Sequence, residues 1–79
     1  MRKKMFVEVA ANFYTNGVII PFLIKWKDGT VYEIDRVLEM RKAASLKAGG
    51  VGTRYTIRVK GSITYLFYEE PKWFVEAKV

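Results

Sequence analysis

From residue 5 to residue 13 apolar side chains fall on every second position. Met5, Val7, Val9, Ala11 and Phe13 share one side of an extended chain, and Glu8 and Asn12 interrupt the other. Period two in a stretch rich in β-branched and aromatic residues predicts a strand over 5–14. The alternation returns at Ile20, Phe22, Ile24 and Trp26, which predicts a second strand over 18–26 with these four facing inward. Pro21 has no N–H to give a ladder, so that strand is expected to start at an edge or a bulge. Asn16-Gly17 and Asp28-Gly29 supply the conformations that the reversals after each strand need.

The return from Asp28-Gly29 starts with Val31-Tyr32-Glu33-Ile34 and runs into the one ambiguous segment. Residues 35–44, opening on Asp35 and closing on Ala44, allow a short helix with Ile34, Val37, Leu38 and Arg41 on one side. They equally continue an alternation through Tyr32, Ile34, Arg36, Leu38 and Met40. Helix propensity favours the first, and the lack of any stop after Ile34 favours a long bent strand, the preferred reading. Three glycines within 49–52 predict a flexible loop over 45–52. Strands over 54–60, 63–69 and 72–79 follow, joined by very short turns at Gly61-Ser62 and Pro71. About six short strands at regular spacing predict a mostly β domain, a small antiparallel curled sheet or SH3-like or OB-like barrel. At 79 residues the chain has room for one such domain, 1–79, with the polar lead 1–4 expected to be disordered.

Composition narrows the chemistry. Histidine and cysteine are both absent, which removes the commonest general base, the strongest nucleophile, disulfides and any His/Cys zinc site. Ser45 sits in the expected loop and Ser62 in a tight turn, so neither is held against a base. Glu69-Glu70 are neighbours on a strand and point to opposite faces, which prevents them from acting as an acid–base couple. Asp28, Glu33 and Asp35 are read as turn and solvent residues rather than a cation site. The glycine loop lacks the Gly-Lys-Ser/Thr ending of a phosphate loop and leads into a strand instead of a helix. The expectation is no enzyme, no cofactor and no metal. With no apolar run of 18 residues, and no cysteine, a soluble cytoplasmic protein without membrane contact is expected.

Charge then singles out one region. Of a net charge of +6, all lies between Arg36 and Lys60, where seven basic residues meet one acid, Glu39. In 54–60, period two sends Tyr55, Ile57 and Val59 to the core and leaves Arg54, Thr56, Arg58 and Lys60 on the other face. Together with Arg41, Lys42 and Lys47 these cations form a candidate nucleic-acid-binding surface that would suit a phosphate backbone. Tyr14, Tyr32 and Tyr68 are candidates for stacking on bases, whereas Trp26, Trp73 and Phe74 are expected in the core. A sheet face kept solvated by Lys and Arg accounts for the same residues. A protein partner or a homo-oligomer at an exposed sheet edge is the alternative, with Pro21 and the apparently outward Leu23 and Leu66 as its motive.

A pattern links the later segments: Trp26-Lys27-Asp28-Gly29, Tyr32-Glu33-Ile34-Asp35-Arg36-Val37, Gly52-Thr53-Arg54-Tyr55-Thr56-Ile57, Tyr65-Leu66-Phe67 and Lys72-Trp73-Phe74-Val75-Glu76. Over about three quarters of the chain it resembles a group of short bacterial proteins of unknown function found especially among Firmicutes. The resemblance implies a small β-rich cytoplasmic domain. It implies no activity, ligand or catalytic residue.

Overall fold

A computed structural model describes residues 2–44 and 51–78. Its elements are β1 (Arg2–Phe13), β2 (Ile19–Lys25), β3 (Val31–Glu33), β4 (Arg36–Ala44), β5 (Val51–Val59), β6 (Ser62–Glu69) and β7 (Lys72–Lys78). All pair antiparallel in one seven-stranded sheet of order β3-β2-β1-β7-β6-β5-β4. Each strand lies beside its neighbour in sequence except β3 and β4, which are the two edges, and the sheet is joined at its middle where β1 meets β7. The sheet curls into a half-barrel, which brings β2 and β4 near each other across the opening.

The first two reversals share one construction. Trp26 N–H donates to Thr30 O (2.7 Å) and Gly29 N–H to Trp26 O (2.9 Å). In the other, Tyr14 N–H donates to Val18 O (2.9 Å) and Gly17 N–H to Tyr14 O (3.0 Å). Within these two reversals positive φ falls on Gly17 (89°) and Gly29 (91°) alone. Asn16 and Asp28 instead accept from the N–H two residues on, Val18 and Thr30, as Asx turns. The Thr30 hydrogen bond holds the Asp28 carboxyl below its ordinary pKa, so this acid serves the turn.

Arg36–Ala44 is strand, not helix, but it does not continue the preceding strand as expected: Ile34 and Asp35 lie between β3 and β4. Ile34 N–H still donates to Phe22 O on β2 (2.9 Å), while Asp35 N–H already donates to Arg58 O on β5 (2.8 Å). Within two residues the chain leaves one edge of the half-barrel and joins the other. It then pairs with β5 from Arg36↔Arg58 to Ala44↔Val51. A ready ladder along β5 outweighs the helix propensity of these residues, as tertiary context commonly does. Val51 and Gly52 belong to β5 rather than to a loop, and residues 45–50 lie outside the described residues.

Two irregularities decide which side chains face inward. In β2 the register shifts between Ala10 and Ala11, which face Leu23 and Pro21 and skip Phe22. Pro21 therefore lies beside a bulge, where its missing donor is tolerated. Parity reverses there: Pro21 is buried and Ile19 packs on the core, while Phe22 is exposed, contrary to the inward position expected of it. In β4 the register shifts between Val37 and Glu39, with Leu38 as the extra residue.

The core lies on the concave face. Ile24, Tyr55, Ile57, Leu66 and Trp73 form it, with Val7, Val9, Val37 and Val75 among the side chains packed against it. Leu66 is fully buried, because it pairs with Tyr55 on the inner side; the outward position expected of it is corrected. The Tyr55 hydroxyl donates across the barrel to Ile19 O at 2.6 Å, tying β5 to β2. The lead 1–4 is likewise strand from Arg2 onward. β7 offers Lys78, Ala77 and Glu76 as partners for Arg2, Lys3 and Lys4, and Lys4 Nζ lies 3.2 Å from Glu69 Oε1. Among the described residues no helix is long and apolar enough to cross a membrane.

Candidate nucleic-acid interface

Burial of Tyr55 and Ile57 sends Arg54, Thr56 and Arg58 of β5 to the outer, convex face, as the alternation predicts. On β4, Arg41 lies directly opposite Arg54, Glu39 opposite Thr56, and Arg36 opposite Arg58. Arg36 and Arg41 are five positions apart, an odd spacing that places residues on opposite faces of a regular strand. The extra residue Leu38 absorbs one position and returns both to the same face. The bulge thus assembles two arginine pairs, roughly 13 Å apart along the strands at about 3.3 Å per residue.

The rank containing Arg41 and Arg54 continues across the sheet. Phe67 is opposite Arg54, Phe74 opposite Phe67, and Phe6 opposite Phe74. Five strands thus contribute three phenylalanines and two arginines in one line on the outer face. Phe67 and Phe74 stack with centroids 5.0 Å apart and planes 5° from parallel, and Phe6 meets Phe74 edge-on at 5.8 Å. Lys4 Nζ lies 4.6 Å from the Phe74 ring centroid and Lys72 Nζ 5.4 Å from that of Phe6. Phe74 is buried, as expected, but among these outer neighbours and outside the core cluster. Phe6 is 54% exposed and Tyr65, opposite Thr56, is 43% exposed.

Arg54 stands where cations and rings meet. Its guanidinium carbon is 4.8 Å from the Tyr65 centroid and its Nη2 is 3.8 Å from Glu39 Oε1. Arg41 Nε reaches the same Glu39 oxygen at 3.9 Å. The Nε of Arg54 is buried and has no hydrogen-bond partner. Among the described residues no carboxylate lies within ion-pair distance of Arg36 or Arg58.

Of the six cations expected at the surface, Arg41, Arg54 and Arg58 come together, and Arg36 joins them. Lys42 pairs with Thr53, one step from the Arg41–Arg54 pair, so it faces the opposite side of the sheet. Lys60 has left the strand. With φ of 50° and 78°, Lys60 and Gly61 form the two-residue turn between Val59 and Ser62, the I′ geometry that matches strand twist. The Lys60 ammonium consequently lies 5.4 Å from the ring of Tyr32, a residue opposite the core residue Ile24. Lys47 lies outside the described residues.

The expected stacking tyrosines are also redistributed. Tyr14 is exposed but belongs to the first reversal. Tyr32 is on the inner side, and Tyr68 packs at 4.3 Å on Trp73. Burial, reinforced by the charge of Glu70, pushes the Tyr68 hydroxyl above its ordinary pKa. The aromatic residues that share the arginine face are Tyr65, Phe6, Phe67 and Phe74. Compared with protein-family models, curated proteins and solved structures, the chain gives no match.

Proposed function

We propose that this chain is a small, non-catalytic binding module that holds the phosphate backbone of a nucleic acid on the outer face of β4 and β5. The observation that supports the reading is the pairing of like charges, Arg36 with Arg58 and Arg41 with Arg54. Like charges directly opposite on a sheet are destabilising, on the scale of roughly 0.2–1 kcal/mol for cross-strand pairs. Glu39 offsets the cost at one pair only. A polyanion lying along the ladder offsets it at both, and guanidinium forks match phosphate oxygens two at a time. A chain without cysteine fits the reducing cytoplasm, and membership of the short Firmicutes-type group belongs to the same proposal.

Fluorescence anisotropy of labelled DNA and RNA tests it. Binding at low salt should weaken linearly on a logarithmic scale as salt rises, by about 0.7–0.9 per phosphate contact. Arg58→Glu should weaken binding to every sequence and make that slope shallower. If no oligonucleotide binds at low salt, the proposal fails.

A second reading has its own observation. One side of β4 is unpaired, and its exposed Leu38 and Met40 line a groove of about 600 Å³ shared with Phe22 of β2. An extended segment of a partner protein, or of a second copy, could add there as a strand. Light scattering over a range of concentrations separates the two: a constant monomer mass removes self-association.

A further inference from the structure

We infer that the nucleic acid this face takes is single-stranded, with bases stacked on Tyr65 and Phe6 and phosphates along the two arginine pairs. The inference rests on the nucleic-acid reading above and names the ligand class for that same face. Three observations carry it. The four paired arginines occupy β4 and β5, while the exposed rings sit on β6 and β1, where Lys72 lies beside Phe6. A sugar-phosphate chain following the β4–β5 ladder would therefore lay a base sideways onto Tyr65 on the adjoining strand, and a chain that continues across the sheet would reach Phe6, three strands from β5. Such bases must be unpaired, because duplex bases present only their edges, and those lie inside grooves that admit a helix or a narrow ribbon rather than a broad sheet.

The second observation is exposure. Phe6 and Tyr65 show about half their surface to solvent, and Ile63, opposite Arg58, is 65% exposed. Phe67 and Phe74, in the same rank as Phe6, are already stacked, and Phe6 packs edge-on against Phe74, which holds that ring in place. The third is Arg54. Its guanidinium carbon lies 4.8 Å from the Tyr65 centroid, so one side chain is placed to meet a phosphate while its neighbour meets the adjoining base. Stacking platforms beside a cationic track are how proteins hold single strands without reading sequence.

The test compares a labelled single strand, as RNA and as DNA, with the duplex of the same sequence at equal salt. Wild-type protein should favour the single strand by about tenfold or more in at least one of the two arms. Tyr65→Ala and Phe6→Ala should each weaken single-strand binding roughly five- to 150-fold, the range for loss of one stacked base, and weaken duplex binding by a clearly smaller factor. Tyr65→Phe should retain the preference, and an unchanged thermal melt of each variant excludes misfolding as the cause. Equal binding of single strand and duplex, or ring variants that bind like wild type, overturns the inference while leaving phosphate binding intact. Absence of binding to every oligonucleotide overturns both.

Discussion

Phe67 and Arg54 lie directly opposite each other on β6 and β5, and at that pair the outer face changes from aromatic to cationic. On one side run Phe67, Phe74 and Phe6; on the other, Arg54 and Arg41. The outer face of a one-sheet domain needs polar cover for solubility and nothing more. Three rings and two guanidiniums in one rank exceed that need, and the arrangement makes separate demands on stability and on binding.

Arg36→Glu should separate those demands. It places an acid opposite Arg58 and turns a like-charge pair into an attractive one, worth roughly 0.2–1 kcal/mol relative to neutral neighbours. The melting temperature should rise while affinity for oligonucleotides falls. A variant that loses both stability and binding would show that Arg36 serves the fold instead.

Tyr55→Phe removes the hydroxyl that donates to Ile19 O across the barrel. A loss of about 0.5–1.5 kcal/mol in urea unfolding is expected for one such hydrogen bond. The pH dependence has a definite sign. Burial raises the Tyr55 hydroxyl above its ordinary value of 10.0, helped by Tyr68, so the folded state prefers the neutral form. Its stabilisation is complete below pH 10 and is lost as pH rises through the raised folded value. Alkaline unfolding curves of the Phe variant should therefore be flatter than wild type above pH 10.

Gly52→Ala should destabilise through backbone contact. A Cβ there would sit 2.9 Å from the Tyr68 carbonyl oxygen, so β6 must shift or the end of the β5–β6 ladder must open. Overpacking of this kind typically costs about 1–3 kcal/mol. Gly29→Ala meets no atom within 4 Å but holds φ at 91°, and should cost about 1 kcal/mol from backbone strain. Urea midpoints of the two variants measure the difference.

Leu66→Ala tests the inner face. The side chain is fully buried against the core, and its truncation should cost about 2–5 kcal/mol. For a domain whose total margin is about 5–15 kcal/mol, that is a large share, and circular dichroism melts should shift far downward.

What could be read from the residues depended on range. The alternation in 54–60 is local, and it placed Tyr55 and Ile57 inside and Arg54 and Arg58 outside. The reversals at Asn16-Gly17 and Asp28-Gly29 are local too. Arg36 is counted among the central cations but not joined to the candidate surface by the sequence, because period two sets it and Arg41 on opposite faces until a bulge at Leu38 restores them, and no residue type announces that bulge. Phe22 was misplaced for the same reason, although Pro21 beside it was the available signal. Lys60 looked like a strand residue because lysine rarely takes positive φ; here Gly61 shares the turn. The Phe6–Phe74–Phe67 rank depends on pairing between the two ends of the chain, which alternation within one strand does not encode.

The switch at Ile34–Asp35 has one more consequence. Asp35 N–H closes the opening of the half-barrel by donating to the carbonyl of Arg58, and Arg58 also presents its side chain to the candidate ligand. Occupancy of the outer face and closure of the sheet therefore share a residue. Anything that pins Arg58 from outside should also reduce opening at this latch. Exchange of the Asp35 amide hydrogen would then report whether the face is occupied.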